Sequence, residues 1–170
     1  MKKILIICIM FSNIFAMDSI KSFSSDFIQE ITKHQETKVE YKGNIIIANN
    51  SHIAWFYTSP LEKSIYIIKD EVVIIEPMIE QVIYTNHHVQ IDLLEILKKA
   101  YHIKKDFQEI VEATTYSIKV DKEGKIEKIS YIDEFENSIN IIFFNTIYNK
   151  DIDMTLFEYN IPDEYDIIYK

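Results

Sequence analysis

The side chains that most often carry chemistry are sparse in this sequence, and where they cluster their spacing works against a reaction. His87 and His88 are adjacent. Neighbouring side chains on a strand point to opposite faces, so the two imidazoles do not converge on one metal ion, and the pair reads as an ordinary loop. Ser24, Ser25 and Asp26 put hydroxyls beside a carboxylate in the chain, yet consecutive residues do not face one another on a helix, and helix surface is the plainer reading. Lys98-Lys99 and Lys104-Lys105 offer positive charge to an acidic partner or headgroup; the simpler account is a solvated helix end. With Gly43 and Gly124 as the two glycines, a backbone cradle for phosphate is hard to build. No nucleophile elbow and no histidine pair at helical metal spacing is present. The expectation is a protein that is not an enzyme and takes no cofactor or metal.

As for the elements that must position these side chains, 170 residues with 48% hydrophobic and 13% aromatic content and three prolines suit one folded domain with a sizeable core. The formal charge of −9 and the complete absence of arginine argue against nucleic acid. Met1-Lys2-Lys3, the apolar run Ile4 to Phe15 and the small Ala16 have the layout of a secretory signal peptide over residues 1–16, leaving 17–170 as the mature domain. Cys8, the single cysteine, lies inside that run rather than at its end. No lipid anchor is expected, and the mature chain carries no thiol.

Apolar spacing predicts a first helix from Asp18 or Ser19 to about Lys33 through Ile20, Phe23, Phe27 and Ile31. The period then changes to two. Val39, Tyr41, Gly43, Ile45 and Ile47 share one strand face, and a second strand carries Ile53, Trp55 and Tyr57 on one face with Ala54 and Phe56 on the other. Strands at 63–69, 71–76 and 79–85 are apolar on both faces, which suits a sheet with a helix on one side and something else apolar on the other. Ile91, Leu94, Leu97 and Tyr101 mark an internal helix. Strands follow near 107–120, 125–133, 138–144 and 154–161, with Gly124 supplying a hairpin turn. The count is nine to eleven strands with two helices and no second domain.

Tyr41-Lys42-Gly43, Trp55-Phe56-Tyr57, Ser59-Pro60 and Pro77-Met78-Ile79-Glu80-Gln81-Val82, in that order, resemble the outer-membrane lipoprotein carrier family of Gram-negative bacteria, LolA. The Pro-x-x-Glu-Gln stretch following a Trp strand is the most specific part. The likeness continues through Phe23, Phe27 and Ile31 and through Phe157-Glu158-Tyr159-Asn160-Ile161-Pro162 with Asp166-Ile167-Ile168. It implies a mainly β fold, an incomplete antiparallel β-barrel of about eleven strands with an α-helical lid enclosing an apolar cavity. It also implies a periplasmic monomer that takes lipoproteins, by their acyl chains, from an inner-membrane ATP-driven releasing complex to an outer-membrane lipoprotein acceptor. By the same resemblance Ile53, Trp55 and Tyr57, with Tyr66, Ile68 and Met78, line the cavity, and Ile91, Leu94 and Leu97 belong to the lid. The family's arginine latch falls where Asn49-Asn50 stands, which leaves Asn49 to hold the lid by a shorter hydrogen bond.

Three other readings compete. An acceptor lipoprotein of the same fold needs a lipidated cysteine, for which Cys8 is the candidate. A periplasmic enzyme or binding protein for another lipid would share the apolar hollow, and a plain interaction sandwich would have none.

Overall fold

The computed structural model describes residues 20–33, 37–48, 52–86 and 93–170. Among these are eleven strands: β1 (Ser22–Lys33), β2 (Thr37–Ala48), β3 (His52–Ser59), β4 (Lys63–Ile68), β5 (Glu71–Glu76), β6 (Gln81–Asn86), β7 (Phe107–Val111), β8 (Thr114–Val120), β9 (Ile126–Ile132), β10 (Ser138–Tyr148) and β11 (Asp166–Tyr169). One helix, α1 (Leu93–Ile103), separates β6 from β7. All strands join a single sheet in the order β11-β6-β5-β4-β3-β2-β1-β10-β9-β8-β7. Neighbours are antiparallel except β11, which runs parallel to β6. The edge strands β7 and β11 each have one neighbour, so the sheet does not close on itself.

The segment expected to be the first helix is β1. Phe23, Phe27 and Ile31 are four residues apart, and four is a multiple of two, so that spacing aligns them on one face of a helix and equally of a strand. Pairing along both edges decides for the strand: Phe27 lies opposite Gly43 of β2 and Phe143 of β10. This central position joins the two halves of the sheet. Gly43 faces a bulge in β3, where Thr58 is the extra residue, and a Cβ added to Gly43 would come 1.8 Å from the carbonyl oxygen of Phe56. Ser25 and Asp26 serve the bulge in the facing strand β10, where Asn145 and Thr146 stand against Ser25 alone: the Ser25 hydroxyl donates to the carbonyl of Phe144 (2.9 Å), and the Asp26 carboxylate accepts from the side chain of Asn145 (2.8 Å).

The expected strand at 107–120 is a hairpin, β7 and β8, with Val111 opposite Thr114. Its turn places Glu112 at φ 53°. Lys69, Glu80, Lys104, Glu136, Asn145 and Asn149 also adopt positive φ. A chain so poor in glycine makes its tight turns with residues that announce no turn. Gly124 behaves as expected, at φ 85° between β8 and β9.

The expected strand at 154–161 is also corrected. Asp153 caps a short 3-10 turn, Met154–Phe157, by accepting from the Thr155 amide. The chain then runs to β11 across one face of the sheet. Phe157, Tyr159 and Ile161 alternate as a strand's residues would, but they pack downward onto β3–β6 instead of pairing at an edge.

Two apolar layers result. On the inner face, taken as the one that bears α1, Phe23, Phe27, Ile45, Ile47, Ile118, Ile126, Ile129, Ile139, Ile141 and Phe143 pack with Leu93, Leu94, Ile96 and Leu97 of the helix. On the opposite face, Ala54, Tyr66, Val73, Ile75 and Val82 are sealed by Phe157 with Ile152, Tyr159, Ile161 and Tyr165. The double-sided strands β4–β6 thus have a cover on one face, the C-terminal segment, while α1 packs over the inner face of the other half of the sheet.

Candidate functional site

Register places Ile53, Trp55 and Tyr57 on the inner face. Ile53 pairs with Ile47 and Ile67, Trp55 with Ile45 and Ile65, and Tyr57 with Gly43 and Lys63. Residues paired across strands share a face. The same face therefore continues through Ile65 and Ile67 of β4, Val72 and Ile74 of β5 and Ile83 of β6. Ile65, Ile67, Ile74 and Ile83 are only partly buried and belong to neither core layer. The strip spans four strands and about three inward-facing positions, roughly 14 Å by 13 Å from strand spacing and rise.

Tyr66 and Ile68 do not line this strip. Tyr66 pairs with Ala54 and Val73 on the opposite face, its ring centroid 5.7 Å from that of Phe56 and 5.1 Å from that of Tyr159. Ile68 pairs with His52, whose ring meets Phe157. A strand apolar on both faces gives no parity signal, so the offset of one residue is invisible until the register is known. Ile65 and Ile67 hold the positions assigned to Tyr66 and Ile68. Leu94 and Leu97 are buried in the helix-bearing layer. Ile91, Asn49 and the His87-His88 pair lie outside the described residues.

Met78 and Tyr57 meet at a cleft of about 300 Å³ where the strip reaches the end of the sheet. Gln29, Ile31 and Tyr41 form one wall; Leu61, Met78 and Ile79 form the other, half or more exposed. The Tyr57 hydroxyl donates to Gln29 Oε1 at 2.8 Å, and its ring meets Phe27 and Tyr41 edge-on at 5.2 and 5.9 Å. Burial pushes this phenol well above its ordinary pKa, so it stays neutral at physiological pH. Lys63 and Glu76 close the rim as an ion pair at 3.0 Å. Deeper in, the indole N–H of Trp55 is shut off from solvent and has no hydrogen-bond partner among the described residues. The arrangement holds no nucleophile facing a base. It is a partly apolar cleft with a charged rim, and next to it along β3 lies one buried donor without an acceptor among the described residues.

The helix beside the strip is fixed at its C-terminal end. Its last turn closes with Lys104, at φ 51°, donating its amide to the carbonyl of Ala100 at 2.9 Å. A Cβ on Gly124 would stand 2.8 Å from that same carbonyl oxygen, so the turn between β8 and β9 touches the helix backbone. Lys99 pairs with Glu109 of β7 and lies over the Phe107 ring, while Lys98 pairs with Glu95 at 2.7 Å. These two lysines tie the helix to itself and to the sheet.

A profile of the family described as outer membrane lipoprotein carrier protein LolA matches residues 18–160. The chain belongs to the LolA family. It is 38% identical over 169 residues, 98% of both chains, to a protein of Campylobacter jejuni named outer-membrane lipoprotein carrier protein. A Wolinella succinogenes protein of the same name is 33% identical over 157 residues, 90% of each chain. Among solved structures, an uncharacterized conserved protein from Thermus thermophilus superposes with a TM-score of 0.55 at 8% identity, over 91% of this chain and 93% of that one. At that identity the likeness concerns the fold alone. The open eleven-stranded sheet is consistent with an incomplete barrel, and α1 packs on its inner face. Sequence reasoning missed Ile74 and Ile83 on the inner-face strip and Gln29 and Leu61 at the cleft. The first two follow from the register of β3, carried through two turns to Ile74 and three to Ile83.

Proposed function

We propose that this protein carries lipoproteins across the periplasm, holding their acyl chains against the inner-face strip that runs from Ile53 and Trp55 to Ile83. In this reading residues 1–16 export the chain and are removed, and the domain 17–170 receives cargo from an ATP-driven releasing complex in the inner membrane. It hands the cargo to an acceptor at the outer membrane, acting as a monomer and making or breaking no covalent bond. The observation that carries the proposal is the set of half-buried isoleucines, 65, 67, 74 and 83, left outside both core layers.

The energetics suit transport. Each methylene withdrawn from water is worth about 0.8 kcal/mol, so one chain of about sixteen carbons gains on the order of 12 kcal/mol. Hydrocarbon of that size does not cross water unaccompanied. A carrier must also release it, which favours an adaptable lining of isoleucine, Met78 and Tyr57 over a tightly fitted pocket.

The test is capture of a lipoprotein from inner-membrane vesicles by purified protein. Ile67→Asp and Ile74→Asp place a carboxylate on the strip and are expected to reduce capture at least tenfold while melting stays within a few degrees of the parent. Capture at the parental level by both variants, or equal capture of a cargo that lacks its lipidated cysteine, overturns the reading.

A further inference from the structure

We propose that the indole N–H of Trp55 is the polar anchor of the apolar strip, donating a hydrogen bond to an ester carbonyl where an acyl chain of the cargo joins its glyceryl end. The inference rests on the acyl-carrier reading above and names the part of the cargo that this residue recognises.

The other enclosed polar side chains have partners. Ser22 donates to the carbonyl of Lys150 at 2.6 Å, Ser25 to that of Phe144 at 2.9 Å, and the Asn137 amide to Asp133 at 2.8 Å. Tyr57 has Gln29, and the Tyr148 hydroxyl accepts from the Ile126 amide. Among the described residues Trp55 Nε1 alone is enclosed without one. A buried donor left unpaired costs the full desolvation of the group, and a tryptophan N–H in an interior normally finds an acceptor. Packing does not require this donor: edge-on contact with Phe27 at 5.2 Å and stacking with Tyr57 at 6.4 Å need only an aromatic ring.

Position gives the donor its use. Tyr57 and Lys63 stand at the mouth, beside the Lys63–Glu76 pair. Trp55 and Ile65 are the next inward pair on the same face, about 7 Å deeper by the rise of two strand residues. A lipid whose polar end stays at the mouth passes its first carbonyl in the row of Trp55, Ile65, Ile74 and Ile83 and leaves only methylenes for the next row, Ile53, Ile67 and Val72. Methylenes have no use for a donor, whereas an ester carbonyl accepts one. A single neutral bond fixes how far the chain enters and adds too little affinity to hinder release.

The chain has one tryptophan, so its indole proton gives a single resonance in a nitrogen-15-edited spectrum. The probes are a synthetic S-(diacylglyceryl)cysteine peptide and its dialkyl ether counterpart of equal chain length. The ester peptide is expected to move the indole proton downfield and to bind about fivefold tighter than the ether, the ratio that one ordinary hydrogen bond supplies. Trp55→Phe is expected to bind both peptides alike. Equal shifts and equal affinities for ester and ether in the parent protein overturn the anchor while leaving the carrier reading standing; binding of neither peptide sinks both. Should Trp55→Phe fail to fold, the comparison of ester with ether in the parent still decides. A diacyl phospholipid with the same chains separates the sources of the ester: a shift with both lipids means the anchor reads the ester itself, and a shift with the peptide alone means it reads the lipoprotein linkage.

Discussion

The inner face of the sheet uses one residue type in two ways. Over β8, β9 and β10, Ile118, Ile126, Ile129, Ile139 and Ile141 are buried beneath Leu93, Leu94, Ile96 and Leu97. Over β4, β5 and β6, Ile65, Ile67, Ile74 and Ile83 stay partly exposed. The side chains are alike and the backbone is continuous, so coverage alone distinguishes a closed core from the half-open face proposed to bind acyl chains. The back of β4–β6 sharpens the point, because there the C-terminal segment seals Tyr66, Val73, Ile75 and Val82. The open strip therefore lies on a half of the sheet whose opposite face is already sealed.

That division is broken most forcefully at Phe23, fully buried in the covered half with its ring edge-on to Tyr148 at 5.1 Å and to Phe143 at 6.1 Å. Phe23→Ala should lower stability by about 3–5 kcal/mol, read as a shift of the urea midpoint, while the fraction still folded captures lipopeptide as the parent does. Ile74→Asp is expected to do the reverse. If Phe23→Ala loses capture under conditions where it remains folded, the covered half contributes to binding and the two uses of isoleucine are not separable.

Helix attachment is the next point of attack, with a smaller effect. Gly124 adopts φ 85° and leaves no room for a Cβ beneath the Ala100 carbonyl. Gly124→Ala should cost about 1–3 kcal/mol through backbone strain and displacement of the helix end. Amide exchange is expected to quicken in α1 and in the turn between β8 and β9, with β3 to β6 unchanged. Uniform quickening along the whole chain would mean that the helix does not detach as its own unit.

Much of this organisation is legible in the sequence and part is concealed for identifiable reasons. The double-sided apolar strands β4–β6 foretold apolar contacts on both faces, of which the C-terminal segment supplies one, and Ile53, Trp55 and Tyr57 do share the inner face. The helix carrying Leu94 and Leu97 forms at Leu93–Ile103, close to its expected span. The first segment misled because residues four apart satisfy both periods. The assignment of Tyr66 and Ile68 missed by one residue because Ile65-Tyr66-Ile67-Ile68 is apolar at every position, leaving no alternation to count. The β7–β8 turn was hidden because Glu112 occupies a conformation that usually signals glycine or asparagine. Gln29 and Leu61 come to the cleft from separate strands and turns, a meeting that local patterning does not encode.

Titration offers the finest probe of the covered half. Burial pushes the Tyr148 hydroxyl up to about 12 against an ordinary value of 10.0, partly offset by the hydrogen bond it accepts from the Ile126 amide at 3.0 Å. A phenol whose pKa rises on folding is held in its neutral form by the folded state, so its contribution is complete below about pH 10 and is lost as pH climbs towards about 12. Stability should accordingly fall across that alkaline window. Tyr148→Phe removes the ionisable group and the accepted bond together: melting near neutral pH should drop by the equivalent of about 1 kcal/mol, and the alkaline decline should become shallower. Tyr57, also raised by burial, keeps part of the slope in that variant. An unchanged slope would mean that the hydroxyl beside Phe23 is reached by water, and the covered half would then be less closed than its packing requires.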